Sequence, residues 1–202
     1  MGEKAIYVEI EIDASVDRVW ELTQDVDQHP RWDLRFSSIT PAARLPAGGS
    51  RFVYQRRILL HTITGTGTSL GEKQRRDGTR TSALRFTTED LLSPIRAGRG
   101  YWRYIPTPQG TTFMTGFDYE PGWGQLIDRL VMRRIIGWIT AWSFDRLRIW
   151  AETGRPPERW TIASVLAFWR PARPQAARCR RTPRHGTAMS LAPTSLSTLE
   201  AP

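Results

Sequence analysis

Apolar and polar residues alternate over residues 6–12 near the start of the chain. A period of two is typical of a β-strand with one buried face. We therefore expect a first strand whose apolar side chains face the core, namely Ile6, Val8, Ile10 and Ile12.

The spacing of apolar residues changes to a helical period directly after this strand. Val16, Val19, Trp20 and Thr23 lie three or four residues apart, and Ser15 precedes them as an N-cap residue. This pattern predicts a short amphipathic helix. A second short helical turn is predicted around 27–32, where Pro30 is expected to break it.

Extended patterns separated by turn residues fill the middle of the chain, and a long helix follows them. This order predicts an α+β fold, a curved antiparallel sheet wrapped around a long C-terminal helix, with two short helices after the first strand. Gly154 and the pair Pro156-Pro157 are expected to end the long helix. The predicted strands are 35–39, 51–60, 62–70, 79–88, 98–105 and 111–119, and the predicted helix is 123–153.

Three short motifs carry a resemblance to a known superfamily. They are YVEI at residues 7–10, ASVDRVW at 14–20 and HPRW at 29–32. With the order of the elements, they resemble the SRPBCC superfamily of helix-grip proteins, which includes START domains, Bet v 1-like proteins and polyketide cyclase-like proteins. The resemblance covers residues 4–153 and implies a ligand-binding domain over 1–154. It also implies a cavity between the sheet and the long helix that accepts an apolar or amphipathic small molecule.

A helical projection of the long helix places one apolar stripe on a single side. We expect this stripe to face the sheet, with Trp138 and Trp142 covering the cavity, although ordinary core packing is the alternative for both. Arg134 would then bind an acidic ligand head, and Asp145 would pair with Arg148 or with a strand residue. The alternative, which we favour, is that both extend to the cavity mouth or each bind to a strand. The stripe contains Ile127, Leu130, Val131, Arg134, Ile135, Trp138, Trp142, Asp145 and Ile149, and the opposite face contains Met132, Ile136, Phe144 and Leu147.

Strand residues of matching phase provide the remaining candidate ligand contacts. The polar members would orient a ligand within an apolar pocket, and ordinary sheet packing is the alternative for each. The candidates are Tyr54, Arg56, Trp102, Tyr104, Phe117 and Tyr119.

No catalytic motif is found in the sequence. It lacks a Gly-x-Ser-x-Gly elbow, a P-loop and the spacing of a zinc site, and the glycines at 65, 67 and 71 miss the dinucleotide-binding pattern by one residue. We therefore assign no catalytic residue, no metal ligand and no cofactor. The lone Cys179 excludes an intramolecular disulfide, and no signal peptide is apparent, so a cytoplasmic protein is expected.

Residues 155–202 lie outside the resemblance and carry much of the positive charge. The chain has a net charge of +9, and residues 155–202 contain eight Arg and two Glu. We expect a short apolar helix at about 158–169, followed by a basic disordered tail. An apolar helix next to a polybasic segment predicts contact with an anionic membrane surface through 158–184. Packing on the domain, a homodimer or a solvated tail are the alternatives, and nucleic acid is disfavoured because no aromatic residues lie among the Arg residues.

These patterns favour a carrier or sensor that binds a hydrophobic or amphipathic small molecule. Two alternatives remain open at this point. One is a polyketide cyclase/dehydratase-like enzyme that works with cavity Tyr, Arg and Asp side chains. The other is an interaction protein with a filled core and a tail at the membrane surface.

Overall fold

Seven antiparallel strands form one open sheet, in the order β1-β7-β6-β5-β4-β3-β2. The computed structural model describes residues 5–45 and 49–196, with the backbone alone at 71–73. The predicted α+β helix-grip fold is confirmed. The strands are β1 Ile6–Ile12, β2 Ser38–Arg44, β3 Ser50–Ile58, β4 His61–Gln74, β5 Arg80–Thr87, β6 Ile95–Thr107 and β7 Gly110–Pro121.

The first strand has the predicted phase. Ile6, Val8, Ile10 and Ile12 all belong to the main hydrophobic core on the concave side of the sheet. β1 pairs with β7 from a distant part of the chain, with Ile6 opposite Phe117. Alternation alone was enough to identify the buried face, since successive side chains of a strand point to opposite sides.

Two short helices follow β1, as predicted. Helix α1 spans Val16–Gln24, and its first turn is capped by Ser15, whose hydroxyl accepts a hydrogen bond from the Arg18 amide at 3.2 Å. Helix α2 spans His29–Trp32. Pro30 lies in its first turn and does not break it, because amides in the first turn of a helix have no acceptor within that helix.

The long helix begins with an irregular turn. Gln125–Ile127 forms helix α3, Asp128–Met132 a π-helical turn, and Arg133–Thr153 helix α4, which ends at Gly154 with φ of 69°. A π-helical turn accommodates one residue more than an α-turn, so a projection at a fixed angle does not hold across it. Side chains before and after this turn therefore do not share one stripe.

Helix α4 faces the sheet with the side opposite to the predicted one. Ile136, Phe144 and Leu147 lie in the main core with β1 and β7 residues, and Met132 packs against that core. The stripe with Trp138 and Trp142 faces away from the sheet. Both faces of this helix are apolar, so the hydrophobic period does not distinguish the face that meets the sheet.

The segment after α4 contains 3₁₀ turns where a helix at 158–169 was expected. Pro157–Arg159 and Ile162–Leu166 form these turns. Trp160 is buried, whereas Leu166, Phe168 and Trp169 are exposed. A ten-residue apolar segment that buries so few side chains lacks the tertiary packing on which short helices depend.

Up to residue 196 the basic tail packs on the domain, whereas the sequence predicted a disordered segment. The backbones of Glu9 and Arg180 exchange two hydrogen bonds of 2.9 Å, which extends the sheet beyond β1. Further along, Ala188 packs with Tyr7 and Met114 on the convex side of the sheet. The tail therefore covers both an edge strand and the outer face of the sheet.

A buried carboxylate attaches the tail to α4. Asp145 is fully buried, and its oxygens accept hydrogen bonds from Arg148 Nε at 2.7 Å, from Arg178 at 2.8 Å and from the Gln175 amide at 2.7 Å. The predicted pairing of Asp145 with Arg148 is confirmed. Residues 170–184 contain six Arg. Besides Arg178, both Arg180 and Arg184 also lie near a carboxylate, that of Glu9. The boundary between the ligand-binding domain and the extension, placed at residue 154 from the sequence, stays a prediction.

Substitution Asp145→Asn should weaken the attachment of the tail, because it removes a buried carboxylate that binds both Arg148 and Arg178 and leaves Arg178 of the tail without its ion-pair partner. We expect the free energy of unfolding in urea to fall by about 3 kcal/mol. Trypsin should also cut at Arg178 or Arg180 before the rest of the domain. Glu152→Gln is the matched control: Glu152 also binds Arg148 but not the tail, so trypsin resistance should be retained. Equal resistance in the two variants would contradict the assignment.

Candidate functional site

A cavity of about 280 Å³ lies between the concave side of the sheet and the start of α4. Strands β3 to β7, the segment after α2 and the first turns of α4 contribute its walls. It opens to solvent, because Ile58 and Ile135 line it while being 46% and 43% exposed. Most of the lining is apolar, and the apolar side chains include Leu34, Phe36, Ile58, Ile63, Leu84, Phe86, Ile95, Trp102, Phe117, Met132, Ile135, Ile136 and Ile139.

The cavity brings together four of the ten predicted ligand-binding residues. Tyr54, Arg56, Trp102 and Phe117 all line it. They come from β3, β6 and β7, and in each of these strands the side chains predicted to face the concave side do so. Their contact with a ligand stays a prediction.

Two further predicted tyrosines share the concave side of the sheet but do not line the cavity. The Tyr104 hydroxyl lies 2.7 Å from the hydroxyl of Thr23 and accepts a hydrogen bond from the Gln24 amide at 2.8 Å. The Tyr119 hydroxyl donates to Asp128 at 2.5 Å. Both hydroxyls therefore serve internal contacts that hold α1 and the π-helical turn against the sheet.

The four predicted helix residues lie away from this cavity, because α4 presents its other face to the sheet. Arg134 is exposed. Trp138 and Trp142 line a separate cleft under the tail, beside Cys179. Asp145 is occupied by Arg148 and Arg178, as described above.

A buried ion pair forms one wall of the cavity. Arg35 lines the cavity and binds both oxygens of Asp33, with Nε at 2.9 Å from one and a terminal nitrogen at 2.7 Å from the other. His29 Nε2 lies 3.1 Å from the same carboxylate. Burial by itself would raise the pKa of Asp33, but Arg35 and His29 hold that pKa well below its usual value. Asp33 is thus an ionised anchor for Arg35.

Arg56 is the other charged side chain on the cavity wall, and it is half-buried. In residues 5–45 and 49–196, no hydrogen bond or ion pair is found for its guanidinium. Burial lowers the pKa of Arg56, and the charge of Asp33 only partly opposes this. Because Asp33 is already bound by Arg35, Arg56 remains available to an anionic group in the cavity.

Tyr54 contributes a neutral hydroxyl. Burial raises the pKa of Tyr54 to about 12, and its hydroxyl donates to the Thr87 carbonyl at 3.3 Å. The end of the ring lies close to β4 because residue 65 is glycine: a Cβ there would approach the ring to 2.3 Å. Gly65 and Gly67 therefore make room for aromatic rings of β3. This packing explains the glycines that partly match a dinucleotide-binding pattern.

Sequence reasoning missed the segment after α2. Leu34, Arg35 and Phe36 line the cavity, whereas the sequence predicted a strand at 35–39 and no cavity residue there; β2 begins only at Ser38. The alternation of charged and apolar residues from Asp33 to Phe36 was the one available signal. The cavity-facing residues Ile136 and Ile139 of α4 were missed because the other face of the helix was preferred.

The described cavity lining contains hydroxyls and guanidinium groups but no His, Asp or Glu. Within the described part of the chain, no group of three or more His, Cys, Asp or Glu side chains is arranged to hold a metal ion. The arrangement is thus suited to hold an apolar molecule and to neutralise an acidic group on it.

Comparison with known families agrees with this geometry. The family model "Polyketide cyclase / dehydrase and lipid transport" matches residues 4–152. The chain belongs to this family. Family membership confirms the resemblance to the SRPBCC superfamily and supports a role in hydrophobic-ligand binding or cyclase-like chemistry.

Two solved structures of similar fold are aromatase/cyclases. The di-domain enzyme StfQ of the steffimycin biosynthetic pathway matches with a TM-score of 0.56 and 14% identity, over 73% of this chain and 50% of that one. The Zhui aromatase/cyclase of Streptomyces sp. R1128 matches with a TM-score of 0.52 and 12% identity, over 76% of this chain and 98% of that one. At such identities the likeness concerns the fold.

A curated relative changes the expected location. The "Uncharacterized membrane protein YndG" of Bacillus subtilis (strain 168) is 41% identical over 171 residues, which cover 82% of this chain and 64% of that protein. The present chain therefore spans less than two thirds of that relative. The expectation of a cytoplasmic protein is contradicted, because this relative is named as a membrane protein. Among the described residues, none of the helices has the length and apolar character needed to span a bilayer.

The variant Asp33→Asn tests how much the charge of Asp33, which binds Arg35, contributes to the free energy of unfolding. A carboxylate whose pKa is depressed in the folded state contributes stability above its unfolded pKa of about 4, and this contribution is lost as the pH falls towards the folded value. At pH 7 we expect the variant to be about 3 kcal/mol less stable than the parent in urea unfolding. The difference should shrink as the pH is lowered below about 4. Asp27→Asn, at an exposed position, is the control and should behave like the parent; a constant difference at every pH would refute the assignment.

Proposed function

We propose that this protein is a carrier or sensor that binds a hydrophobic or amphipathic small molecule in the cavity between the sheet and α4. The observation that supports this most directly is the combination of an apolar lining with one half-buried guanidinium, that of Arg56, which has no bonded partner in the described part of the chain. A charge in such surroundings is costly unless a counter-charge arrives.

The same geometry indicates the chemistry of the ligand. Its acidic head would bind Arg56, and its apolar body would pack against residues of β6, β7 and α4. Trp102, Phe117 and Ile136 present apolar surface for that body. Tyr54 would contribute its ring, because its hydroxyl is already bonded to Thr87.

A cyclase-like enzyme is the second candidate, and it is favoured by the family description and by the hydroxyls of Tyr54, Ser93 and Thr115 in the cavity wall. Against it, the described lining offers no carboxylate or imidazole for acid-base catalysis. A core filled by its own aromatic side chains is disfavoured by the cavity volume of about 280 Å³.

The contact of residues 158–184 with an anionic membrane surface stays a prediction. The exposed side chains of Ile162, Leu166, Phe168 and Trp169 support it. The pairing of Arg178, Arg180 and Arg184 with carboxylates weakens it, because these charges are partly neutralised. Self-association through the same apolar side chains, giving a homodimer, also stays open.

Native mass spectrometry of the purified protein should detect a copurifying apolar molecule. Substitution Ile139→Trp should abolish that signal, because the larger side chain would occupy the cavity from the α4 side. Leu166→Trp, at an exposed position of the extension, is the matched control and should keep the ligand. A bound molecule that persists in Ile139→Trp would show that it lies elsewhere.

Two fluorescent probes that differ by one anionic group test the role of Arg56. Anilinonaphthalene sulfonate carries the charge, and phenylnaphthylamine is its neutral counterpart. Arg56→Gln should weaken binding of the sulfonate about tenfold or more, since a charge-assisted hydrogen bond is lost, and should leave the neutral probe unaffected. Arg51→Gln on the same strand is the control. An equal loss for both probes would mean that Arg56 supports the fold and not the ligand.

A further inference from the structure

Exposed aliphatic side chains lie on, or directly beside, three segments that line the cavity. Ile58, Leu59 and Leu60 lie at the turn between β3 and β4, and Leu59 and Leu60 are 94% and 106% exposed. Leu91, Leu92 and Ile135 are also exposed. We refer to these six residues as the apolar rim. Single exposed leucines are ordinary on a protein surface, whereas a group of them around one opening is not.

The three segments of the rim are joined to one another. His61 Nε2 lies 2.8 Å from Asp90 Oδ2, which links the β3–β4 turn to the loop that carries Leu91 and Leu92. The amide of Gly122 donates to the Pro94 carbonyl at 2.8 Å, which links that loop to the segment between β7 and α3. All three segments also reach the cavity wall, through Ile58, through Ser93 and Pro94 next to Leu92, and through Ile135.

The backbone at the tip of the rim is unfavourable for the residue found there. Leu59 has φ of 51°, and it is the one non-glycine residue with positive φ in the described part of the chain. Gly or Asn normally occupies such a position in a two-residue turn, because a side chain with a Cβ is strained there. A fully exposed leucine at this position neither favours the turn conformation nor packs in the core. This indicates that its side chain contacts another molecule.

We propose that the apolar rim inserts into the surface of a lipid bilayer and places the cavity opening against it. Aliphatic side chains that project from turns into solvent match the acyl region of a bilayer, which needs no complementary pocket. The exposed charged residues beside the rim are mostly basic: Arg57 precedes Ile58 and Arg134 precedes Ile135, against Glu89 in the loop. These Arg side chains complement anionic lipid headgroups.

This surface differs from the extension at 158–184, which was the membrane contact expected from the sequence. The rim adjoins the cavity, so an apolar molecule could pass between bilayer and cavity without crossing water. That consequence rests on the proposed function, whereas the contact with the bilayer does not.

Sedimentation of the full chain with vesicles of phosphatidylcholine and phosphatidylglycerol tests the proposal. The parent should sediment with these vesicles, less so with pure phosphatidylcholine, and less at raised salt. The double variant Leu59→Gly with Leu60→Ser should lower the partition coefficient about tenfold or more, because it removes the two most exposed aliphatic side chains. Since glycine relieves the strained φ, its melting temperature should not fall, so misfolding would not explain the loss.

The control is an equal change in the extension, Leu166→Ser with Phe168→Ser, which should leave sedimentation near the parent level. Loss of binding in this control alone would overturn the proposal and assign the contact to the extension. Failure of the parent to sediment, with a dimer by gel filtration that the rim variant abolishes, would overturn it in favour of self-association. Ile139→Trp separates the two hypotheses: it should lose the ligand yet still sediment, and loss of both would mean that vesicle binding depends on cavity contents and not on the rim.

Discussion

Helix α4 has apolar side chains on two opposite sides, and the sheet can shield only one of them from water. The side with Phe144 and Leu147 packs into the concave core, and the side with Trp138 and Trp142 requires a second cover. The tail provides it, and Asp145 fixes the tail in place through Arg178. Much of the arrangement follows from this constraint: the tail leaves α4 beside β1, completes the edge of the sheet and continues across its convex side.

Two of the buried carboxylates, Asp33 and Asp145, bind guanidinium groups that hold separate parts of the fold in place. Asp145 and Asp33 are each bound by two nitrogen-bearing side chains, so their own charges are fully compensated within the fold. Arg35 is thereby immobilised in the cavity wall, while Arg56, a few residues into β3, receives only a distant influence from Asp33. Under the proposed function, stability and ligand recognition would therefore depend on different guanidinium groups of the same cavity wall.

The buried faces of most strands could be predicted because a strand has only two faces, and the alternation of apolar residues identifies the one that is buried. The phases of β1, β3, β6 and β7 followed from alternation, and with them the positions of Tyr54, Arg56, Trp102 and Phe117. The face of α4 could not be predicted in the same way, since Trp142 and Phe144 lie on opposite sides with similar apolar character. The packing of the tail was missed because each of its contacts, such as that of Ala188 with Tyr7, buries little surface by itself. The residues that make these contacts also show no regular spacing in the sequence.

The position of β1 in the sheet has a consequence for how the chain folds as it is synthesised. β1 is made first, yet its partners are β7 on one side, with Ile6 opposite Phe117, and the backbone of Arg180 on the other. Such contacts between distant parts of a chain form late, because closing a long loop is entropically costly. While the middle strands emerge from the ribosome and pair with their neighbours, the isoleucines of β1 have no sheet to join. The nascent chain therefore carries an unpaired apolar strand until β7 has emerged, and this is the stage at which a chaperone would have the most surface to bind.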